Sequence, residues 1–87
     1  MKPPQYLDGA EVLWWAWSGS EPYGLHGDEP VHGFAVCKYA SGQIYRFSCN
    51  RVWQTVNDMD HATEVEAKAD IPSNYDESRV QWSPYVE

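Results

Sequence analysis

The chain has 87 residues, 43% of them hydrophobic and 15% aromatic, and a formal net charge of −7 at pH 7. This length predicts one domain, residues 1–87, with a single modest core, and the apolar fraction excludes a disordered chain. The six basic residues, set against 13 acidic ones, form no run that could neutralise phosphates, which excludes direct binding of nucleic acid.

Hydropathy along the chain predicts neither a membrane anchor nor a secretory signal. The longest uncharged run, between Glu11 and Glu21, is far shorter than the roughly 20 residues that span a bilayer. Pro3, Pro4 and Asp8 interrupt the first residues before an apolar signal segment could form. We therefore expect a cytoplasmic protein without membrane contact.

Residues 11–17 predict the first strand. Its side chains alternate between two sides, with Leu13, Trp15 and Trp17 on one and Val12, Trp14 and Ala16 on the other. Apolar residues on both sides predict an interior strand that is covered on both faces. The Gly- and Pro-rich stretch 18–33 follows. We expect it to form a wide, partly ordered hairpin connection, because connections of this length are typically functional or contain a short element.

Residues 34–39 and 44–49 predict a hairpin around a Ser-Gly turn signal. Cys37 and Cys49 both lie in this hairpin. A two-residue loop places their sulfurs on opposite faces. A three-residue loop places them on one face, but too far apart along the ladder for a disulfide. Both registers predict free, reduced thiols, which agrees with a cytoplasmic location.

Two further strands are expected toward the C terminus. Residues 52–56 are β-branched and aromatic, as is typical of a strand, and residues 57–60 then break the pattern. Residues 79–82 alternate well enough to predict a short terminal strand, which Pro84 ends.

A short helix is predicted over residues 63–71. Thr63 and Glu66 have the spacing of a capping box, and Pro72 stops the helix. Such a short helix needs packing against the sheet, and its expected contact residues are Val65, Ala69 and Ile71. Together the elements predict an α+β fold, with a small antiparallel sheet of four to five strands and one short helix packed on one face.

The spacing of histidines, cysteines and carboxylates predicts neither a metal site nor a catalytic centre. His26 and His32 could form only a loose cluster with Asp28 or Glu29, without the ligand spacing of a zinc site. A nucleophilic centre would need a cysteine beside a base, whereas cysteines in apolar strands typically serve as packing groups. We expect no cofactor, no metal and no enzymatic activity.

The aromatic content points to a binding surface. Five Trp, six Tyr and two Phe residues bring more surface than a core of this size encloses, since each buried ring covers roughly 150–250 Å². The second face of the sheet is either covered by the loop containing Tyr23 and Leu25 or left for another molecule. We expect one exposed aromatic patch with a charged rim. The candidate binding residues are Trp14, Trp15, Trp17, Tyr23, His26, His32 and Trp53.

Two classes of function remain open. The first is a noncatalytic protein-interaction domain, whose partner is a second copy in a homodimer or another protein. The acidic excess favours a basic partner, although it also serves solubility. A sharper form of this class is an inhibitor or immunity-type protein for a basic enzyme such as a nuclease. The second class is a small-molecule or carbohydrate-binding module, in which residues 23–32 close over a cleft and tryptophan rings stack on the ligand.

Overall fold

The computed structural model describes residues 1–87, a curled antiparallel β-sheet with one short helix packed on one face. The strands are β1 (Tyr6–Leu7), β2 (Ala10–Trp17), β3 (Gly24–His26), β4 (Glu29–Val31), β5 (Gly33–Lys38), β6 (Ile44–Cys49), β7 (Thr55–His61) and β8 (Ser83–Pro84). The helix α1 spans Glu64–Ala69, and a 3-10 turn spans Glu77–Arg79. The main sheet has the order β1-β2-β5-β6-β7, with β8 also paired to β2, while β3 and β4 form a separate hairpin. The predicted antiparallel sheet with one helix is confirmed, although strand strongly predominates over helix, and the main sheet has six strands where four to five were expected because the short edge strands β1 and β8 add to it.

The first predicted strand, residues 11–17, is confirmed as β2, but a β-bulge changes the sides of its first residues. The register with β5 shifts between Val12 and Trp14, so Leu13 is an additional residue in the ladder. A bulge shifts the alternation of side chains by one position. Val12 therefore shares a face with Trp15, and the predicted grouping of Leu13 with Trp15 is wrong.

The main sheet has two faces, with one buried cluster on the first and two on the second. The face that we call the cysteine face carries Val12, Ala35, Cys37, Phe47 and Cys49. The face that we call the helix face carries Ala16, Phe34, Val36, Ile44 and Arg46.

β2 lies inside the sheet, as its apolar residues on both sides predict. β5 pairs with one edge of β2, and β1 and β8 share the other. The connection from β1 to β2 is Asp8-Gly9, with φ of 48° and 83°. Positive φ at both residues is typical of a type I′ hairpin turn, for which Asp-Gly is a preferred sequence. β1 is absent from the predicted elements, although this dipeptide is a signal for it.

β5 and β6 form the predicted hairpin, closed by a three-residue loop. The Tyr39 amide donates to the Gln43 carbonyl over 3.0 Å, and the last loop residue, Gly42, has a φ of 96°. Of the two registers left open by the sequence, this loop selects the one that places Cys37 and Cys49 on the same face. Both thiols are buried and free, as predicted.

Burial makes both thiols unreactive. Desolvation raises the pKa of Cys37, and it raises the pKa of Cys49 to about 12. Because the thiolate is the nucleophile, we expect a disulfide reagent at mildly alkaline pH to label the folded protein at least about a hundredfold more slowly than the unfolded chain. Absorbance-monitored thiol titration with and without denaturant measures this ratio, and prompt labelling of the folded protein would contradict it.

The fourth strand lies further along the chain than predicted. Residues 50–54 form a turn, and β7 begins only at Thr55, so the expectation that residues 57–60 break the sheet is wrong. Trp53 has a φ of 63° in this turn, a conformation that is unusual for a bulky residue. β7 forms an edge of the sheet, and charged residues are typical of free edges because they discourage unwanted pairing.

α1 begins where the capping box predicts. The Glu66 amide donates to Thr63 Oγ1 over 3.1 Å, which satisfies one of the unpaired donors of the first turn. The Glu66 carboxylate in turn accepts from the Ala62 amide over 3.3 Å. The threonine–glutamate pair therefore fixes the start of the helix from both sides.

α1 is shorter than the predicted segment 63–71 and packs through a different residue. Ala67 is fully buried on the helix face, whereas Val65 is 72% exposed and Ala69 is exposed. The predicted packing of Val65 and Ala69 is therefore wrong, while that of Ile71, just after the helix, is confirmed. No helix in the structure has the length and hydropathy needed to cross a membrane.

Aromatic side chains cover the rest of the helix face. The Tyr23 ring stacks on Phe34 with 4.9 Å between centroids, and Tyr75 meets the same ring edge-on at 5.2 Å. The connection 18–33 is thus ordered, and it contains the β3–β4 hairpin. Leu25, the other residue expected to cover the sheet beside Tyr23, is 51% exposed.

The terminal strand predicted at residues 79–82 is wrong. Arg79 ends the 3-10 turn, and its guanidinium donates to three backbone carbonyls of residues 18–22 over distances of 2.9 to 3.0 Å. The last strand, β8, follows later and contains Pro84. A proline is tolerated in a short strand at the edge of a sheet, where its missing N–H costs no ladder hydrogen bond.

The cysteine face is covered by the N-terminal segment together with Trp53 and Tyr85. Trp53 Nε1 donates to the Met1 carbonyl over 3.2 Å, and the Tyr85 hydroxyl donates to the Pro3 carbonyl over 3.1 Å. Leu7 of β1 completes the buried cluster on this face. These contacts explain how a sheet with a single helix covers both of its faces.

Candidate binding site: a tyrosine cleft with an acidic rim

The seven candidate residues predicted from the sequence lie in different parts of the fold. Tyr23, His32 and Trp53 are buried, Trp14, Trp15 and Trp17 are half-buried, and His26 is exposed. None of the five tryptophans in the chain is fully exposed.

Trp17, His32 and Trp53 are brought together by the fold. The Trp17 ring centre lies 5.5 Å from that of Trp53 and 5.7 Å from that of His32. His32 Nδ1 lies 3.0 Å from the Ser18 hydroxyl, which fixes the imidazole ring. A cleft of about 290 Å³ beside this cluster is lined by Glu29, Pro30, His32, Asn50, Arg51 and Val52. The two indoles are therefore packing groups, and His32 is the one member of the cluster that lines the cleft.

Trp14 lies on the helix face, and its side chain holds α1 against the sheet through two contacts. Its Nε1 donates to the Glu64 carboxylate over 2.9 Å, and Lys68 Nζ lies 3.6 Å from the ring centre. An ammonium group over an indole is a favourable cation–π contact. The ring is thus engaged by the helix.

The remaining candidates lie apart from one another. Trp15 packs against the buried cluster of the cysteine face, and Tyr23 belongs to one of the two clusters of the helix face. His26 ends β3, in an exposed hairpin. No three histidine, cysteine or acidic side chains are placed so that they could hold a metal ion together, and His26 and His32 therefore belong to no such group.

A second set of aromatic side chains lies at the opposite end of β5. Tyr6 comes from β1, Tyr39 from the start of the β5–β6 loop and Tyr45 from β6. Tyr6 is 57% exposed, and the other two are half-buried. Tyr39 and Tyr45 meet edge to face, with 5.4 Å between ring centres and an interplanar angle of 87°. We call this surface, with Gly9 and Asp58, the tyrosine cleft.

Two adjoining depressions form the tyrosine cleft. The smaller, of about 340 Å³, is lined by Tyr6, Gly9, Glu11, Lys38, Tyr39 and Ala40. The larger, of about 480 Å³, is lined by Gly9, Tyr39, Ala40, Ser41, Gln43, Tyr45 and Asp58. Gly9, Tyr39 and Ala40 line both depressions, so Tyr39 lies where the two meet.

Two carboxylates act electrostatically on the Tyr39 hydroxyl, and one of them, Asp58, lines the same depression. Desolvation raises the pKa of Tyr39, and Asp8 and Asp58 raise it further because a nearby negative charge disfavours ionisation of the phenol. Tyr39 is therefore neutral at ordinary pH. An aromatic ring with carboxylates beside it attracts a cationic group.

The cations of this chain are largely committed to its own fold. Four of the six basic residues are held by internal contacts, namely Lys2, Arg46, Lys68 and Arg79. By contrast, only Asp70 among the 13 acidic residues forms an ion pair. Most carboxylates of the surface therefore lack an ion pair, while the free cation Lys38 lies opposite Glu11 in the smaller depression.

None of Tyr6, Tyr39 and Tyr45 is among the residues predicted from the sequence. Tyr6 depends on β1, and the Asp8-Gly9 turn is a signal that could have found it. Tyr39 and Tyr45 share a face only with the three-residue loop, which the sequence left as one of two alternatives.

Comparison with known proteins finds no relative of this chain, since no family model, curated protein or solved structure matches it. A proposal for the function therefore rests on the site alone.

Proposed function

We propose that this chain is a noncatalytic protein-interaction domain that binds a basic partner protein through the tyrosine cleft. One observation carries the proposal. Tyr39 lies where two depressions meet, within the electrostatic influence of Asp8 and Asp58, and the larger depression is lined by no cationic side chain. Tyrosine rings among polar and charged groups are typical of protein interaction sites.

Charge supports the choice of a basic partner. The net charge is −7, and all but one of the carboxylates lack an ion pair. A field of this sign speeds association with a basic protein. A lysine or arginine that reaches the cleft then meets both the Tyr39 ring and the Asp58 carboxylate. An inhibitor or immunity-type protein for a basic enzyme is one form of this function.

The other expected functions have less support. Two copies in a homodimer carry the same unpaired carboxylates and repel each other. The carbohydrate or planar-ligand site expected from the sequence relies on tryptophan rings, whereas Trp17 packs on Trp53 and Lys68 covers Trp14.

Selection from a random displayed-peptide library, with the folded protein immobilised, tests the proposal. The expected binders are enriched in lysine and arginine, and they lose affinity as the salt concentration rises. Asp58→Lys is expected to weaken their binding about tenfold or more, which corresponds to about 1.4 kcal/mol. The substitution removes an attractive carboxylate and places a cation in the cleft.

Glu21→Lys is the matched control for this substitution. It changes the net charge by the same amount at an exposed position that lines neither depression. It is expected to weaken binding by only about twofold, through the long-range field. Selected peptides without cationic residues, or equal losses of affinity in the two variants, would overturn the proposal.

A further inference from the structure

β7 gives the main sheet a long free edge. β7 has seven residues, whereas the opposite edge is formed by the two-residue strands β1 and β8. β7 pairs with β6 only, and no other backbone hydrogen bond involves residues 55–61. Its outward N–H and C=O groups are therefore available to a further strand.

The centre of this edge is exposed and acidic. Asp58, Met59 and Asp60 are three consecutive exposed residues. Asp58 and Asp60 lie on the cysteine face, because they pair with Phe47 and Tyr45 of that face. Asp58 also lines the tyrosine cleft, so the edge and the cleft form one continuous surface.

The charges on this edge select what can pair with it. A second copy docked antiparallel on β7 and centred on Met59 would set Asp58 of each copy against Asp60 of the other, and like charges in opposite positions destabilise a strand pair. An extended segment with lysine or arginine at every second position behaves differently. Side chains alternate along a strand, so all of its cations lie on the side of Asp58 and Asp60.

We propose that the basic partner presents an extended segment that adds to β7 as a further strand, with alternate cationic side chains beside Asp58, Asp60 and the Tyr45 ring. This inference rests on the proposed function and specifies how the partner binds. In strand addition the backbone hydrogen bonds supply affinity, and the alternate side chains supply specificity. The carboxylates thus disfavour pairing of this edge with an acidic chain and favour pairing with a basic one.

A synthetic peptide that alternates lysine and valine is the probe, added to the isotope-labelled full chain and followed by NMR. Amide shifts are expected to concentrate in residues 55–61, with hydrogen-exchange protection at alternate amides of β7. N-methylation of the peptide amides that point toward β7 is expected to weaken binding about tenfold or more. N-methylation of the other set, which points away, is expected to have an effect below about twofold.

The outcomes separate this inference from the proposed function. Equal effects of the two methylated peptides, with binding that still depends on Asp58, overturn strand addition and leave the proposed function standing. Strand addition is likewise overturned, and the proposed function retained, if library selection gives cationic binders for the cleft and the lysine–valine peptide does not bind. Equal losses of peptide binding in Asp58→Lys and Glu21→Lys overturn both. A peptide with glutamate in place of lysine is the charge control, and binding equal to that of the probe would overturn the inference.

Discussion

Replacing Gly33 by alanine is expected to lower the free energy of unfolding by about 3 kcal/mol, at the upper end of overpacking costs. A Cβ at this position would lie 2.5 Å from Cζ3 and 2.6 Å from Cη2 of Trp53, much closer than packed carbon atoms approach. The indole has little freedom to move aside. Its Nε1 donates to the Met1 carbonyl, and its ring packs on Trp17.

The loss of stability in Gly33→Ala is expected to come from the clash with the Trp53 ring alone. Gly33 has no positive φ, so the backbone conformation accepts alanine. Denaturant unfolding of Gly33→Ala, Trp53→Leu and the double variant measures the coupling between the two positions. The double variant is expected to be more stable than the sum of the single losses by at least about 1 kcal/mol. Additive losses, or wild-type stability of Gly33→Ala, would contradict the close approach.

Arg46→Ala is expected to lower the free energy of unfolding by about 3 kcal/mol, whereas Arg46→Met is expected to change it by less than about 1 kcal/mol. Arg46 is fully buried, and desolvation lowers its pKa, with Asp70 opposing the shift. Its Nη1 donates to the Asp70 carbonyl just after α1, while the Asp70 carboxylate lies 4.0 Å away and is 61% exposed.

Comparing the two Arg46 variants separates the contribution of side-chain volume to the free energy of unfolding from that of the buried charge. A counter-ion as exposed as Asp70 recovers little of the free energy spent on desolvating the guanidinium. Methionine fills the space and avoids that desolvation, whereas alanine leaves a cavity. Thermal and denaturant unfolding measure both, and Arg51→Ala, at an exposed position, is the control with an expected change within about 0.5 kcal/mol. Equal losses in the two Arg46 variants would show that the charge dominates.

The interior strands were predictable from the sequence because burial on both faces leaves a direct hydrophobic signature. β2 begins one residue before its predicted start, and β5 and β6 form the predicted hairpin. The capping residue Thr63 also begins α1 as predicted. These elements follow from local chemistry, namely alternation, turn residues and caps.

The elements at the margin of the sheet were not predictable in the same way. β7 carries Asp58 and Asp60, and an edge strand tolerates such residues because one of its sides faces solvent. The side of α1 that packs on the sheet depends on how the helix docks, so Ala67 is buried there while Val65, an expected contact residue, is exposed.

The candidate site was missed for a related reason. The number of tryptophans suggests a binding surface, but their rings pack within the fold. Trp53, for example, is buried under the N-terminal segment. The tyrosine cleft forms only when β1, the β5–β6 loop and β6 come together in the fold. Its geometry depends on a loop length that the sequence leaves as one of two alternatives and on the Asp8-Gly9 turn.

The pairing of Ser83 and Pro84 with β2 has a consequence for biosynthesis. These residues close one edge of a strand that the ribosome releases much earlier, and Arg79 and Tyr85 add contacts to residues 18–22 and Pro3. Until this last stretch has emerged, the nascent chain carries an apolar strand with an open side, a species prone to aggregation. The sheet is therefore completed only after residues 79–85 have left the ribosome.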